Sequence, residues 1–418
     1  MLSRESAKGV FVSVFLVMCV FLVGCGGGAA QQSSSTSNGP INLTWSMWTA
    51  SNPEVQAWEY DAALVTKKYP NIHIKFQTTT FPNYWTKLES EAASGTMPDI
   101  ISLQSQHTPG FAANFLPLGS YIKQNNFDIS AFDSTIVKGL TYQNEVRALP
   151  YDFGPLVIFY NKDLFKKYNV PAPTNSWTYA QFLDAAQKMS HGNDHGFIAN
   201  PNLDGVLPFV LSDGGQYLTS DGKLNLNNSQ FASTYQEYAK LAYQYHASPT
   251  LSVTESNNAA FLWASGNIGM IVDGPWDLIN FKSSAKFSIG TVPVPALSKG
   301  QVTVTAGSGF GISTTTKNAD AAWKAISVLT GPDAEQYLAN SGRAFSARTA
   351  QQQYWYKNAV PDAESTLTYA NARAVPEVTT ASWNQAQTLF QQYGVKVVAG
   401  QQTAASALST IQQQTGNS

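Results

Sequence analysis

Cysteine is scarce in this sequence. The 418-residue chain has two, Cys19 and Cys25, and both lie in its first 25 residues. The rest of the chain therefore cannot form a disulfide and must be stabilised by a hydrophobic core. Its length allows this, and because chains longer than about 250–300 residues usually divide into more than one domain, we expect two lobes.

Charged side chains are also few. They make up 12% of the chain and give a formal net charge of -2, whereas a typical soluble domain has about 25%. The clustered Lys and Arg that nucleic-acid binding requires are missing, so we expect no nucleic-acid partner. Aromatic residues reach 12%, with 10 Trp, and amide and hydroxyl side chains are abundant. This composition suits neutral, hydroxylated ligands.

Familiar catalytic signatures are missing as well. The sequence has no Gly-x-Ser-x-Gly elbow, no His-Glu-x-x-His pair and no Walker A loop, so any ATP-driven step belongs to a separate chain. His191, Asp194 and His195 lie in a loop with Gly and Asn, which indicates a solvated turn rather than a metal site. We predict no catalytic residue, no cofactor and no metal, and a protein that is not an enzyme.

The first 25 residues are predicted to form an export signal. Arg4 and Lys8 precede the apolar run Val10–Val23, which has signal-peptide length and is short for a membrane span. The run ends in Leu22-Val23-Gly24-Cys25, which resembles the bacterial lipobox. The resemblance implies cleavage before Cys25 and a diacylglycerol on its sulfur. The mature protein would then be anchored to the membrane outside the cytoplasm; an ordinary secretory signal with an incidental Cys is the alternative.

Residues 26–40 follow this signal and are rich in Gly, Ser, Gln and Thr. They have no apolar periodicity, so they predict a flexible tether. It would let the folded part move relative to the lipid anchor.

Apolar periodicity then predicts alternating strands and helices. The first are a strand at Asn42–Trp48, a helix at Val55–Lys68 capped by Asn52, a strand at 72–76, a helix at Tyr84–Ser94 ended by Gly95, and a strand from Ile100. This order predicts a mostly parallel sheet with helices on both faces. The rhythm recurs with strands at Leu156–Tyr160 and Ile268–Val272 and helices at Asp163–Tyr168, Tyr179–Met189, Asn257–Ser265, Ala319–Leu329, Pro332–Asn340 and Ala404–Gln414. The Gly- and Pro-rich segments Pro150–Pro155 and Pro293–Gly311 are expected to cross between lobes.

Several short motifs occur in one order along the chain. They are Lys67-Lys68-Tyr69-Pro70-Asn71-Ile72, Tyr84-Trp85-Thr86-Lys87-Leu88, Pro98-Asp99-Ile100-Ile101, Leu149-Pro150, Tyr160-Asn161-Lys162-Asp163-Leu164-Phe165 and Asp273-Gly274-Pro275-Trp276. Each is weak alone, but their order and spacing resemble the extracellular solute-binding proteins of ABC importers. The resemblance is to the carbohydrate-binding group related to maltose-binding protein.

This resemblance implies an α/β fold, the two-lobed, hinged type II fold of periplasmic binding proteins, with the ligand in a cleft between lobes. The N-terminal lobe would comprise residues 41–149 and 303–350, and the C-terminal lobe residues 150–302 and 351–418. It also implies a monomer that captures a sugar or oligosaccharide by hinge closure and delivers it to an ABC permease, whose ATPase is a separate chain. Two alternatives stay open: a non-sugar solute such as a phosphorylated polyol or a peptide, and a lipid-anchored glycan-active enzyme.

The resemblance also suggests ligand contacts in the first lobe. Trp48 ends the first strand, where its ring could stack on a sugar; a core Trp is the alternative. Gln104 and Gln106 follow the third strand and could bond ligand hydroxyls, unless they form an ordinary polar loop. Maltose-type members have Trp and Asp where this chain has Leu103 and Gln106, so the resemblance does not imply maltodextrin specificity.

Further candidates lie at the crossings and in the second lobe. Trp276 is the strongest, because the Gly-Pro pair before it would aim its indole at the cleft. Asp152 could accept bonds from two hydroxyls, although a role as a hinge cap is the alternative. The remaining candidates are Phe153 beside it, Asn202 and Asp204 in an irregular loop before a predicted helix, Ser308 and Phe310 in a Gly-rich recrossing, and Arg343 and Arg373 as side-wall donors. For the two Arg residues, plain surface exposure is the alternative.

Overall fold

The computed structural model describes residues 39–416. The predicted signal, Cys19, Cys25 and nearly all of the tether lie outside them. The strands are β1 (Ile41–Trp48), β2 (Ile72–Thr79), β3 (Ile100–Gln104), β4 (Thr141–Tyr142), β5 (Glu145–Val146), β6 (Leu149–Pro155), β7 (Val157–Asn161), β8 (Met270–Asp273), β9 (Ile289–Val292), β10 (Thr303–Ile312) and β11 (Ala374–Pro376).

Helices cover most of the remaining chain. They are α1 (Asn52–Lys68), α2 (Phe81–Ser94), α3 (Thr108–Phe111), α4 (Gly119–Gln124), α5 (Ser134–Gly139), α6 (Lys162–Lys167), α7 (Tyr179–Lys188), α8 (Leu203–Ser212), α9 (Ser229–Tyr243), α10 (Val253–Asn257), α11 (Ala259–Ala264), α12 (Leu278–Ser284), α13 (Ala319–Leu329), α14 (Pro332–Ser341), α15 (Gln352–Asn358), α16 (Ala363–Asn371), α17 (Trp383–Val398) and α18 (Ala404–Thr415). Short 3-10 turns include Pro275–Asp277. In the part of the chain that is described, no helix is both long and apolar enough to cross a membrane.

The first lobe is built around a sheet in the order β11-β10-β3-β1-β2, with β6 also paired to β10. β1 runs parallel to both β2 and β3, and α1 and α2 connect these strands. The predicted parallel βαβαβ unit is therefore confirmed here. β10 runs antiparallel to β3, because the chain re-enters this sheet from the other lobe.

The second lobe has a sheet in the order β8-β7-β9. Both pairs in it are antiparallel, so the expectation of a mostly parallel sheet was wrong for this lobe. Apolar periodicity places a strand but does not give its direction. Here several helices separate β7 from β8 and return the chain in the opposite sense.

Two hydrophobic cores support these sheets. Trp45, Trp58 and Phe310 belong to the first, and Phe182 and Trp383 to the second. β7 contributes alternate side chains to each core, with Phe159 in the first and Ile158 and Tyr160 in the second. The period of two along a strand explains this division, which leaves β7 covered on both faces.

Some predicted boundaries were wrong for local reasons. Ser51, not Asn52, caps α1, since its hydroxyl accepts from the Glu54 amide. The single helix predicted at Asn257–Ser265 is divided between α10 and α11 at Asn258, whose φ of -116° and ψ of 21° leave the helical region. The loop predicted to contain Asn202 and Asp204 ends at Asn202, which caps α8, so Asp204 lies in the first turn of the helix that was expected to begin after it.

The two crossing segments pair with each other as β6 and β10. A Cβ on Gly307 would lie 2.2 Å from the carbonyl oxygen of Asp152. Only glycine therefore allows the two backbones this close. The strand expected after this glycine is present, since β10 continues to Ile312.

Candidate functional site

A cavity of about 310 Å³ lies between the two lobes. Strand ends form its floor, as expected for ligand sites in open α/β sheets. From the first lobe it is lined by Trp48, Glu54, Phe81, Trp85, Gln104 and Arg343, and from the second by Asn202, Asp204, Asp273, Trp276, Asp277, Gln387 and Gln391, with Asp152 and Ser308 at the crossings.

Aromatic rings form the first-lobe wall. Trp48 packs edge-to-face on Phe81 and Tyr84, with ring centroids 5.5 and 5.1 Å apart, and lies 5.6 Å from Trp85. Trp85 in turn stacks on His107 at 3.5 Å. These contacts hold the rings rigidly, so they present a fixed apolar surface to the cavity.

Trp276 faces the cavity from the second lobe, and its placement depends on two glycines. A Cβ on Gly274 would lie 2.2 Å from the indole, so the ring packs directly over the Gly274 backbone. A Cβ on Gly154 would lie 2.4 Å from Pro275. The glycines thus allow the turn to fit against β6 and fix where the indole points.

A buried charge network lies at the base of the cavity. The guanidinium of Arg343 is 3.1 Å from Glu54 and 3.6 Å from Asp152, and all three side chains are nearly inaccessible to solvent. It also lies 4.7 Å above the ring of Trp58. Removing one member would leave an uncompensated buried charge, so the network acts as a unit.

Asp152 is held in one orientation by this network. Its second oxygen accepts a 2.7 Å hydrogen bond from the Ser308 amide. Burial raises the pKa of Asp152 to about 6, although Arg343 and the Ser308 amide oppose that shift. Burial likewise raises the pKa of Glu54 against the charge of Arg343.

The second-lobe wall carries three more carboxyl groups. Asp204 lies in the first turn of α8, and Asp273 and Asp277 flank the Trp276 turn. Burial raises the pKa of Asp273 well above its ordinary value, and the neighbouring Asp277 raises it further. Burial also raises the pKa of Asp204, against a hydrogen bond from Gln106.

Amide side chains complete the wall. Asn384, Gln387 and Gln391 follow helical spacing on α17 and line the cavity together. Gln391 donates to Ser256 at 2.9 Å and to Asn257 at 2.6 Å. The cavity therefore combines flat apolar rings with many hydrogen-bonding groups.

Most of the predicted contacts lie at this cavity. Those lining it are Trp48, Gln104, Asp152, Asn202, Asp204, Trp276, Ser308 and Arg343. Gln106 lies behind the wall: its amide donates to Glu377 and, at 3.5 Å, to Asp204, and it accepts from Gln387. It can therefore position two lining residues, Asp204 and Gln387, without touching the cavity.

Three predicted contacts lie elsewhere. Phe153 packs against Phe345 beside the crossing, with ring centroids 5.4 Å apart. Phe310 is fully buried, stacked on Tyr151 at 4.6 Å, because it lies two residues deeper in the sheet than Ser308. Arg373 is exposed at the end of α16, where its guanidinium lies 3.6 Å from the Tyr369 ring.

Several lining residues were not among the predicted contacts. Asp273 and Asp277 lie beside Trp276, which was predicted, and Trp85 belongs to one of the short motifs given above. The spacing of Asn384, Gln387 and Gln391 was a readable signal, since three amides fall on one helical face. Phe81 carried no separate signal.

A metal site is not indicated in the described range. Residues 39–416 contain no group of three or more His, Cys, Asp or Glu placed to hold a metal ion. Asp194 instead accepts from Lys167 and Tyr168, at 2.5 and 2.7 Å.

Sequence comparison with known proteins finds relatives that are described as sugar-binding proteins. Curated relatives include a lactose-binding protein of Rhizobium radiobacter, 23% identical over 54% of this chain and 56% of that protein. The chain thus spans little more than half the length of that relative. A galactooligosaccharide-binding protein of Bacillus subtilis is 22% identical over 69% of this chain and 68% of its own.

Solved structures resemble the whole folded part. An ABC substrate-binding protein of Listeria monocytogenes in complex with cycloalternan superposes with a TM-score of 0.83, at 21% identity, over 90% of this chain and 98% of its own. Maltose-bound MalE3 of T. maritima gives a TM-score of 0.76 at 20% identity, over 90% of this chain and 98% of its own. These matches show the two-lobed type II fold. The model of the bacterial extracellular solute-binding protein family matches residues 49–336, and the chain belongs to that family.

Proposed function

We propose that this protein captures a sugar or oligosaccharide outside the cell membrane and delivers it to the permease of an ABC importer. The observation that carries the proposal is the cavity between the lobes. It pairs the rings of Trp48, Trp85 and Trp276 with amide and carboxyl groups. Sugars have apolar C–H faces that suit aromatic rings and hydroxyls that bond to amides and carboxylates.

The names of the relatives support the same ligand class. They include proteins described as binding lactose, galactooligosaccharide and maltodextrin. Each matches at low identity, so they favour carbohydrate in general. They do not favour one sugar for this chain.

Hinge closure would couple capture to delivery. A ligand that contacts both walls of the cavity binds the closed form better, and this difference in affinity shifts the population toward it. The closed form would then dock on the permease, and the separate ATPase would drive transport. We propose a monomer whose two lobes comprise mainly residues 41–149 with 303–350 and residues 150–302 with 351–418. Strands β6 and β11 are the exceptions, since they pair into the sheet of the first lobe.

The predicted lipid anchor would keep this domain near its permease. Diacylglycerol at Cys25 supplies two acyl chains, which hold a protein at a membrane where one chain does so only weakly. Residues 26–40 would give the domain its reach. Metabolic labelling with a radioactive fatty acid should mark the wild-type protein and leave Cys25→Ser unlabelled.

The test of the function is a thermal-shift screen of mono- and oligosaccharides, followed by calorimetry on each sugar that raises the melting temperature. We expect at least one sugar with a micromolar or tighter dissociation constant. A screen in which peptides or phosphorylated polyols bind and no sugar does would overturn the proposal.

A glycan-active enzyme is the rival that shares the ligand. Such an enzyme needs two carboxyl groups about 5–10 Å apart across the bond to be cleaved. Because the chain belongs to a family of solute-binding proteins, we expect the bound sugar to be recovered unchanged after long incubation with the protein. Hydrolysis that is abolished by Asp152→Asn would instead identify an enzyme.

A further inference from the structure

The charges that line the cavity are strongly unbalanced. Arg343 is the single basic side chain among the described lining residues, which include five carboxyl groups. Arg343 pairs with two of these, Glu54 and Asp152. The other three, Asp204, Asp273 and Asp277, make no salt bridge within the described range.

These three carboxyl groups lie close enough to interact. All three line the same cavity, and Asp277 and Asp204 both add to the rise that burial causes in the pKa of Asp273. Carboxylates that share a site repel one another, and an opposite charge close by stabilises their ionised form. A bound cation would therefore remove an unfavourable repulsion that a neutral ligand leaves in place.

A second observation points to a ligand that donates hydrogen bonds. Asn280 lines the cavity and is 2% exposed. Its amide nitrogen donates to Asp277 at 2.7 Å, whereas its oxygen has no partner. The oxygen of Gln104, on the first-lobe wall, also has none. Unpaired buried acceptors carry a desolvation penalty that a donor on the ligand would remove.

The aromatic residues fit the same ligand. Trp276 lies between Asp273 and Asp277 in the chain and lines the cavity with them. A cation over an indole face is attracted to the ring, most strongly where water is excluded. An ammonium group between a ring and carboxylates would therefore interact favourably with both.

We propose that the ligand of this cavity is an amine-bearing carbohydrate whose ammonium group lies among Asp204, Asp273 and Asp277. This rests on the proposed capture of sugars and specifies their class. The sugar rings would stack on the aromatic wall, and the ammonium would supply the positive charge that the second-lobe wall lacks. A phosphorylated ligand would be repelled by the same carboxylates.

The experiment compares matched pairs of sugars by calorimetry at pH 7. For each neutral sugar that binds, the 2-amino-2-deoxy and 6-amino-6-deoxy counterparts are measured under the same conditions. We expect at least one amine to bind ten times more tightly than its neutral counterpart. If every amine binds equally or more weakly, this inference is wrong while the proposed function stands. If no sugar of either kind binds, the proposed function fails and this inference with it.

Variants locate the ammonium group. Asp273→Asn keeps the side-chain shape and an oxygen for the 2.7 Å bond from the Gly274 amide. It should reduce the preference for the amine over its matched neutral sugar at least tenfold, whatever its effect on the neutral sugar itself. Asp204→Asn is the second variant, in case the first does not fold. Asp184→Asn, on the exposed face of α7, is the matched control and should change neither affinity. An unchanged amine preference in both cavity variants would overturn the assignment.

Discussion

At the scale of single residues, Trp276 gives the most informative test of the proposed site. Trp276→Ala removes a ring that lines the cavity and should weaken sugar binding at least tenfold, which corresponds to about 1.4 kcal/mol. Trp276→Phe keeps a flat ring and should retain most of the affinity. Tyr60→Ala, which removes an exposed ring outside the cavity, is the control. Calorimetry measures all three, and an unchanged affinity in Trp276→Ala would show that the site lies elsewhere.

Glu335 provides a second test, on stability rather than binding. Burial raises the pKa of Glu335 from 4.5 to about 8, although hydrogen bonds from Ser346 and the Arg348 amide oppose the shift. The native state therefore holds this proton more tightly than the unfolded chain, so stability falls as pH rises between these two values. The expected loss across the window is on the order of a few kcal/mol.

The variant for this test is Glu335→Gln, which cannot ionise but can still accept both hydrogen bonds. It should stabilise the protein at pH 8 and have little effect at pH 4.5. Asp333→Asn, on the exposed side of the same helix, should leave the pH profile unchanged. Urea unfolding at several pH values measures this, and parallel profiles for wild type and Glu335→Gln would contradict the prediction. The stability of Glu335→Gln should still depend somewhat on pH, because the pKa of Asp152 is raised in the same direction as that of Glu335.

The sequence predicts some of these residues well and others poorly. Trp276 could be placed at the cavity because the Gly-Pro turn before it is a local feature. Phe310 could not, because an alternating pattern gives the face of a strand and not the depth along it. The ion-pair partners of Arg343 were not predicted either, because Glu54 on α1 and Asp152 on β6 reach it only through tertiary packing.

At the scale of elements, the turn between β8 and α12 sets the direction of the Trp276 ring. Gly274 has φ of -107° and ψ of 170°, which any residue can adopt, so alanine there would not strain the backbone. Its Cβ would instead displace the indole, which lies 2.2 Å from that position. Gly274→Ala should therefore weaken sugar binding several-fold or more, with a smaller effect on the melting temperature.

The measurements are calorimetry together with tryptophan fluorescence. Gly119→Ala is the matched control, because this exposed glycine begins α4 and its Cβ would meet only the end of the Glu145 side chain, at 3.2 Å. It should leave the affinity unchanged. Normal binding by Gly274→Ala would show that the turn can move and does not fix the ring.

Helices and strands were predicted correctly where the local sequence signals agree with one another. α13 has the predicted bounds, and α2 ends at Gly95, whose φ of 68° is the left-handed conformation that glycine favours. The antiparallel order of the second sheet and the start of α8 at Leu203 were missed. Strand direction follows from long-range connections, and the α8 start depends on a side-chain cap that apolar periodicity does not contain.

At the scale of the whole molecule, the lobes make direct hydrogen bonds across the cleft. Asn384 on α17 donates to Glu89 on α2 at 2.5 Å, and Gln106 contacts Asp204 from the opposite lobe. Such bonds exist only while the lobes are together, so they stabilise the closed form relative to the open one. In the proposed mechanism, their strength would set how readily the protein opens to release its ligand.

Glu89 tests this directly, because it does not line the cavity whereas Asn384 does. Glu89→Ala leaves all direct ligand contacts in place but removes one lobe-to-lobe hydrogen bond. On an exposed surface such a bond contributes about 0.5–1 kcal/mol, the lower part of the usual range. The dissociation rate of bound sugar should rise about two- to fivefold, with little change in the melting temperature of the free protein. Glu91→Ala on the same helix breaks only a local contact with Lys87 and is the control. Stopped-flow fluorescence measures both rates, and equal rates in wild type and Glu89→Ala would mean that the ligand alone holds the lobes closed.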